Sequence, residues 1–147
     1  MILISKCLLG YPCKYNGGNN LNEKAVSLNG AEKCIAACPE QLGGLQTPRE
    51  PCEILGGTGK DVLDKTARVV SKDGKDCTEE FLKGAQRTLE LAKLLNVKKA
   101  VLKARSPSCG VCGIYDGTFS GTVIGGAGVT AELLRREGIE VISEEEL

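Results

Sequence analysis

The 147-residue sequence predicts an α/β fold, a single domain over residues 1–147 whose mostly parallel sheet is covered on both faces by helices. Three observations predict it. Short, β-rich apolar runs recur at residues 1–5, 34–37, 99–104 and 139–142. Segments with helical period and helix stop signals lie between several of these runs, so strands and helices alternate. A domain of this length also buries roughly 68–70% of its unfolded surface, whereas two domains would each lack a sufficient core. Together these give a Rossmann-like three-layer arrangement.

Residues 1–5 form the first buried strand, and Cys7 lies just past its end. The turn-rich stretch 10–20 precedes a short helix at 21–28, which Asn29 and Gly30 stop because both tolerate the left-handed conformation that ends helices. The second strand, 34–37, is followed directly by Cys38. Residues 42–60 hold seven glycines and prolines with little periodicity and read as a long surface loop. A strand at 66–71 leads to the Asp73-Gly74 turn. Thr78 then caps the clearest helix: Glu79 and Glu80 sit at its positive end, Phe81, Ala85, Leu89, Ala92 and Leu95 are its apolar positions, and Asn96 suits the stop. Residues 99–104 form the next strand, with Cys109 beyond it. Gly125 to Gly128 lead into a helix at 131–137, Gly138 closes it, and 139–142 make the last strand.

Composition excludes several functions. Lys and Arg number 19, as do Asp and Glu, so the net charge of zero leaves no footprint for a nucleic-acid polymer. Five Tyr and Phe residues and no Trp offer little for stacking bases. The opening apolar run is too short for a signal-peptide core or a membrane span, and no later segment does better. The expected compartment is the cytoplasm, where eight cysteines stay reduced and serve as ligands or nucleophiles rather than disulfides. With no His in the chain, Ser-His-Asp and Cys-His catalysis and imidazole-bound zinc are excluded. Proton transfer then falls to Glu, Asp, Lys, Tyr, Cys or water.

In open parallel sheets ligands bind beyond the carboxyl ends of the strands. Cys7, Cys38 and Cys109 each follow a predicted strand, so the sheet would gather all three on one rim despite separations of 31 and 71 residues. Three thiolates without histidine suit a soft metal, either zinc or iron in a cluster. If three thiolates hold four irons, one iron keeps an open position and acts as a Lewis acid. Cys109 and Cys112 form a C-x-x-C, readable as a redox pair or as two ligands of one metal, with Cys112 a candidate fourth ligand. Cys13, Cys34, Cys52 and Cys77 are treated as packing or loop residues.

CLLG at 7–10 with YNGG at 15–18, CPE at 38–40 with GGLQTPR at 43–49, SPSCG at 106–110 and IYDGTFSG at 114–121 together resemble the thiouracil desulfidase family. The likeness runs from about residue 3 to the final helix. It implies a four-iron four-sulfur (4Fe-4S) cluster on the positions matched by Cys7, Cys38 and Cys109, with the fourth iron free. In the family's proposed chemistry the sulfur of a thiolated pyrimidine binds that iron, water replaces it at the ring carbon, and sulfide leaves without net redox change. The matching catalytic positions are Glu40 and Ser106. The extra cysteines, chiefly Cys13, Cys52 and Cys112, depart from the plainest form of the motif.

The residue chemistry accords with those roles. Glu40 follows a cluster ligand by two residues, where a partly desolvated carboxyl can serve as acid or base. Ser106 can orient substrate or water. Arg49 offers planar donors to a uracil carbonyl or a phosphate, with a surface salt bridge as the alternative. Tyr115 and Asp116 lie in a Gly-rich turn expected to line the pocket or to shape it, and the Gly125–Gly128 turn is a candidate anion site. The leading expectation is a non-redox desulfidase acting on a small thiolated pyrimidine, with no membrane or nucleic-acid polymer as partner. The alternatives are a non-catalytic zinc or iron-sulfur protein and a sulfur-transfer or thiol-redox protein using Cys109 and Cys112. The sequence leaves monomer or homo-oligomer open.

Overall fold

The computed structural model describes every residue, Met1–Leu147. In chain order the elements are β1 (Ile2–Ser5), α1 (Glu23–Ala31), β2 (Cys34–Ala37), α2 (Pro39–Leu42), β3 (Cys52–Leu55), α3 (Gly59–Leu63), β4 (Arg68–Ser71), α4 (Thr78–Leu94), β5 (Lys99–Leu102), β6 (Gly113–Tyr115), β7 (Val123–Gly125), α5 (Val129–Arg136) and β8 (Glu140–Ser143). Four of these strands form an all-parallel sheet in the order β2-β1-β5-β8. The chain builds outward from β1 to β2, then crosses to the other side of β1 for β5. Strand order therefore reverses at β1, and the crevice at such a reversal is where open α/β sheets bind ligands.

Side chains alternate across the sheet, so each face buries its own set. Leu3, Ala100 and Leu102 pack with Leu89 and Ala92 of α4 and Leu134 of α5. Ile4 and Val101 pack on the opposite face with Ala25 of α1. This is the expected three-layer α/β arrangement. Asn22 caps α1, its side chain accepting a hydrogen bond from Ala25 N. Helix α1 continues through Asn29 and Gly30, past the expected stop.

The structure departs from expectation over 42–71. The expected loop contains β3, and the expected strand at 66–71 pairs antiparallel with β3 instead of joining the central sheet. A satellite core of Ile54, Val69, Phe81, Ala85 and Val129 lies beneath this ribbon. Glu53 is buried in β3 and accepts hydrogen bonds from the amides of Gly117 and Phe119, which anchors the turn joining β6 to β7.

Helix α2 carries Glu40 and lies against α4 through two glycines. A Cβ on Gly84 would collide with Pro39 O, and one on Gly43 with Glu80 O. Gly84→Ala should gain up to about 1 kcal/mol in helix propensity. It should nevertheless destabilise the protein by about 1–3 kcal/mol, because backbone rather than a flexible side chain blocks the methyl group. Thermal unfolding checks this, and a midpoint at or above that of the parent would show that α2 yields freely.

Candidate functional site

The carboxyl ends of β2, β1 and β5 open on a cavity of about 480 Å³. Ser5 is in register with Ala37, so the segments leaving β1 and β2 start level on the rim. Cys7 sits in a single 3-10 turn, Lys6–Leu9, closed by Gly10 at φ 92°, a left-handed conformation that favours glycine. Cys38 is the N-cap of α2, with Pro39 as the first helical residue. Cys109 lies in a turn where Ser106 Oγ accepts its amide at 2.8 Å and Ser106 O accepts that of Gly110. All three cysteines line the cavity.

Cys109 is 5% exposed, and burial pushes its thiol up to about 12 against the lowering effect of the Ser5 and Ser108 hydroxyls beside it. A hydrogen bond from the Cys13 thiol lowers Cys7 against the opposing effect of burial. The same donor brings Cys38 down to about 7. Cys13 is itself shifted upward, because its proton is held between Cys38 and Cys7. It therefore joins the site rather than being a packing residue. Cys52 lines the cavity wall, Cys77 is buried in the satellite core, and Cys34 is directed to Leu28 O at the amino end of β2. Cys112 is exposed and does not line the cavity, so the C-x-x-C separates into one inward and one outward residue.

No three Cys, Asp or Glu groups are arranged to hold a single metal ion between them. A mononuclear zinc site needs four ligands at about 2.0–2.3 Å from one centre. A cluster places each thiolate on a different iron, so separate thiols around a roomy cavity fit that group instead.

Glu40, in the first turn of α2, has both carboxylate oxygens engaged. Arg49 Nε donates to Oε1 at 3.1 Å and Ser108 Oγ donates to Oε2 at 2.9 Å. Arg49 also donates to Gln46 O, Thr47 Oγ1 and Cys13 O. Four of its five N–H groups are thus used within the protein, and one remains for a ligand. Arg49 lines the cavity and also joins the 10–20 and 42–51 loops at Glu40, through the salt bridge that was its other expected role.

Ser106 and Tyr115 line the cavity, whereas Asp116 does not. The Asp116 carboxylate accepts from Thr118 N and Thr118 Oγ1, which shapes the turn. The Gly125–Gly128 turn also departs from expectation. The amides of Gly128, Val129 and Thr130 donate to the carbonyls of Gly110, Pro107 and Ser108, so they secure the Cys109 loop rather than an anion. Ser108 was missed from sequence, and its only signal was its place between Ser106 and Cys109.

Lysines and arginines are also part of the cavity lining. Lys103 and Arg105 pair with Glu144 and Glu145, while Lys6, Lys14 and Lys72 have no carboxylate partner. Lys6 and Lys14 instead lie over the rings of Tyr11 and Tyr15. No helix is long and apolar enough to cross a membrane.

A family model described as 2-thiouracil desulfurase matches residues 2–146. The uncharacterized protein YbbK of Bacillus subtilis (strain 168) is 54% identical over 147 residues, spanning 100% of this chain and 97% of its own. The solved structure of the 4Fe-4S-dependent thiouracil desulfidase TudS is similar with a TM-score of 0.86 and 40% identity, covering 99% of this chain and 91% of that one.

Proposed function

The chain belongs to the 2-thiouracil desulfurase family, and from that premise we propose that it hydrolyses the carbon–sulfur bond of a small thiolated pyrimidine in the cytoplasm. Cys7, Cys38 and Cys109 would hold a 4Fe-4S cluster as its cofactor. The observation that carries this reading is the meeting of three thiols from three neighbouring strand ends in one cavity with Glu40 and Ser106. When bound through three thiolates, such a cluster supplies an open iron, a Lewis acid for the thiocarbonyl sulfur.

The chain's own groups perform the remaining steps. Glu40, fixed through both oxygens, takes a proton from the attacking water and returns it to the ring nitrogen. Ser106 orients that water from the cavity wall. Water supplies the oxygen, sulfur leaves as sulfide, and no net electrons are exchanged. Lys6, Lys14 and Lys72 in the cavity lining suit an anionic substrate form, so thiolated nucleotides belong on the panel beside bases and nucleosides.

Anaerobic reconstitution with iron and sulfide should give a brown protein that releases sulfide from 2-thiouracil, 4-thiouracil or their nucleosides or nucleotides. The metal-free protein should be inactive. Turnover in a preparation shown by analysis to contain no iron would overturn the proposal.

A further inference from the structure

The residue between Ser106 and Glu40 in space is Ser108, 2% exposed and placed in neither the motif roles nor the steps above. Its Oγ lies 2.9 Å from Glu40 Oε2, 3.1 Å from Ser106 Oγ and 3.6 Å from Cys109 Sγ. A serine hydroxyl has one proton to donate and two lone pairs. An ionised carboxylate only accepts, so the Ser108 proton is directed to Glu40 Oε2. Ser108 Oγ is then free to accept the Ser106 proton, while Ser106 Oγ accepts the amide of Cys109 at 2.8 Å. The hydrogen bonds therefore run in one direction, from Ser106 through Ser108 to Glu40.

We propose that Ser108 is a positioning residue that relays a proton from the cavity, through Ser106, to Glu40. The inference rests on the desulfidase reading and on the parts assigned there to Glu40 and Ser106. As water adds to the ring carbon, one of its protons passes to Ser106 Oγ, the Ser106 proton passes to Ser108 Oγ, and the Ser108 proton passes to Glu40 Oε2. Three O–H bonds break and three form, with no change in electron count. The proton held on Glu40 returns along the chain to the ring nitrogen as sulfur departs. Arg49 on Oε1 keeps the other carboxylate oxygen out of the path. The loop is held in place by the α5 amides that bind Pro107 O and Ser108 O.

The test compares reconstituted Ser108→Ala and Ser108→Thr with the parent. Ser108→Ala should retain the parent's iron and sulfide content and visible spectrum, with KM within about twofold and kcat lowered about 100-fold. Ser108→Thr keeps the hydroxyl and should recover at least about a tenth of parental kcat. The relay is overturned by parental kcat in Ser108→Ala, by a loss expressed only in KM, or by loss of iron. Equal losses in both variants with intact clusters also overturn it, since packing rather than the hydroxyl would then be responsible. Glu40→Ala and Ser106→Ala, measured alongside, separate the two levels. If both turn over normally, the underlying reading fails; if both are inactive while Ser108→Ala is normal, only the relay fails.

Discussion

Alanine in place of Cys7, Cys38 or Cys109 is expected to remove both iron and turnover. Each residue comes from a different strand end, β1, β2 or β5, so none of the three stands where another does. The substitutions are small. Removing a thiol from a mostly buried position costs on the order of 1 kcal/mol and should leave the sheet folded. Cys109→Ala is the most informative, because its turn is held by the Ser106 side chain and the α5 amides rather than by the sulfur itself. Circular dichroism should therefore match the parent while iron and acid-labile sulfide fall to background. Cys112→Ala, an exposed site outside the cavity, should retain both iron and activity. Full cluster content in any of the first three variants, or its loss in Cys112→Ala, would show that the ligand set is wrong.

Glu40 variants should separate chemistry from cofactor binding. Neither Glu40→Ala nor Glu40→Gln removes a thiol, so both should load iron as the parent does. Both should lose about 10²–10⁴-fold in kcat, the usual contribution of a positioned acid–base group. They should differ in stability. The Arg49 side chain is 9% exposed and faces Glu40 at 3.1 Å, so alanine leaves a nearly buried guanidinium without its charge partner. That costs about 1–3 kcal/mol, whereas glutamine keeps the shape and one acceptor toward Arg49. Unfolding midpoints and iron content measured beside kcat check both parts. A parental kcat in Glu40→Gln would remove Glu40 from the proton path.

The central sheet was legible because its strands are buried by helices on both sides and therefore read as short apolar runs. The ribbon of β3 and β4 was harder to read. Strand β3 has only four residues among glycines and prolines, and its Glu53 is buried because two distant amides, Gly117 and Phe119, satisfy its carboxylate. No local pattern announces a partner more than 60 residues away. Strand β4 could be recognised from its own residues, but its pairing depended on finding β3.

The candidate site divides along the same line. Cys7, Cys38 and Cys109 could be placed on one rim from strand ends alone, because a parallel sheet sets all its carboxyl ends on one side. Arg49 was read as a donor to substrate or a salt-bridge partner, but its contact with Cys13 O, from a loop 36 residues earlier, could not be read. The positions of Cys13 and Ser108 inside the cavity could not be read, since the first depends on the path of the 10–20 loop and the second on how α5 grips its turn. Residue type and spacing were enough to establish the strand framework and the available chemistry. Which thiol faces which, and which hydroxyl reaches Glu40, was decided by loop paths set through long-range hydrogen bonds, and those bonds leave no periodic trace in the chain.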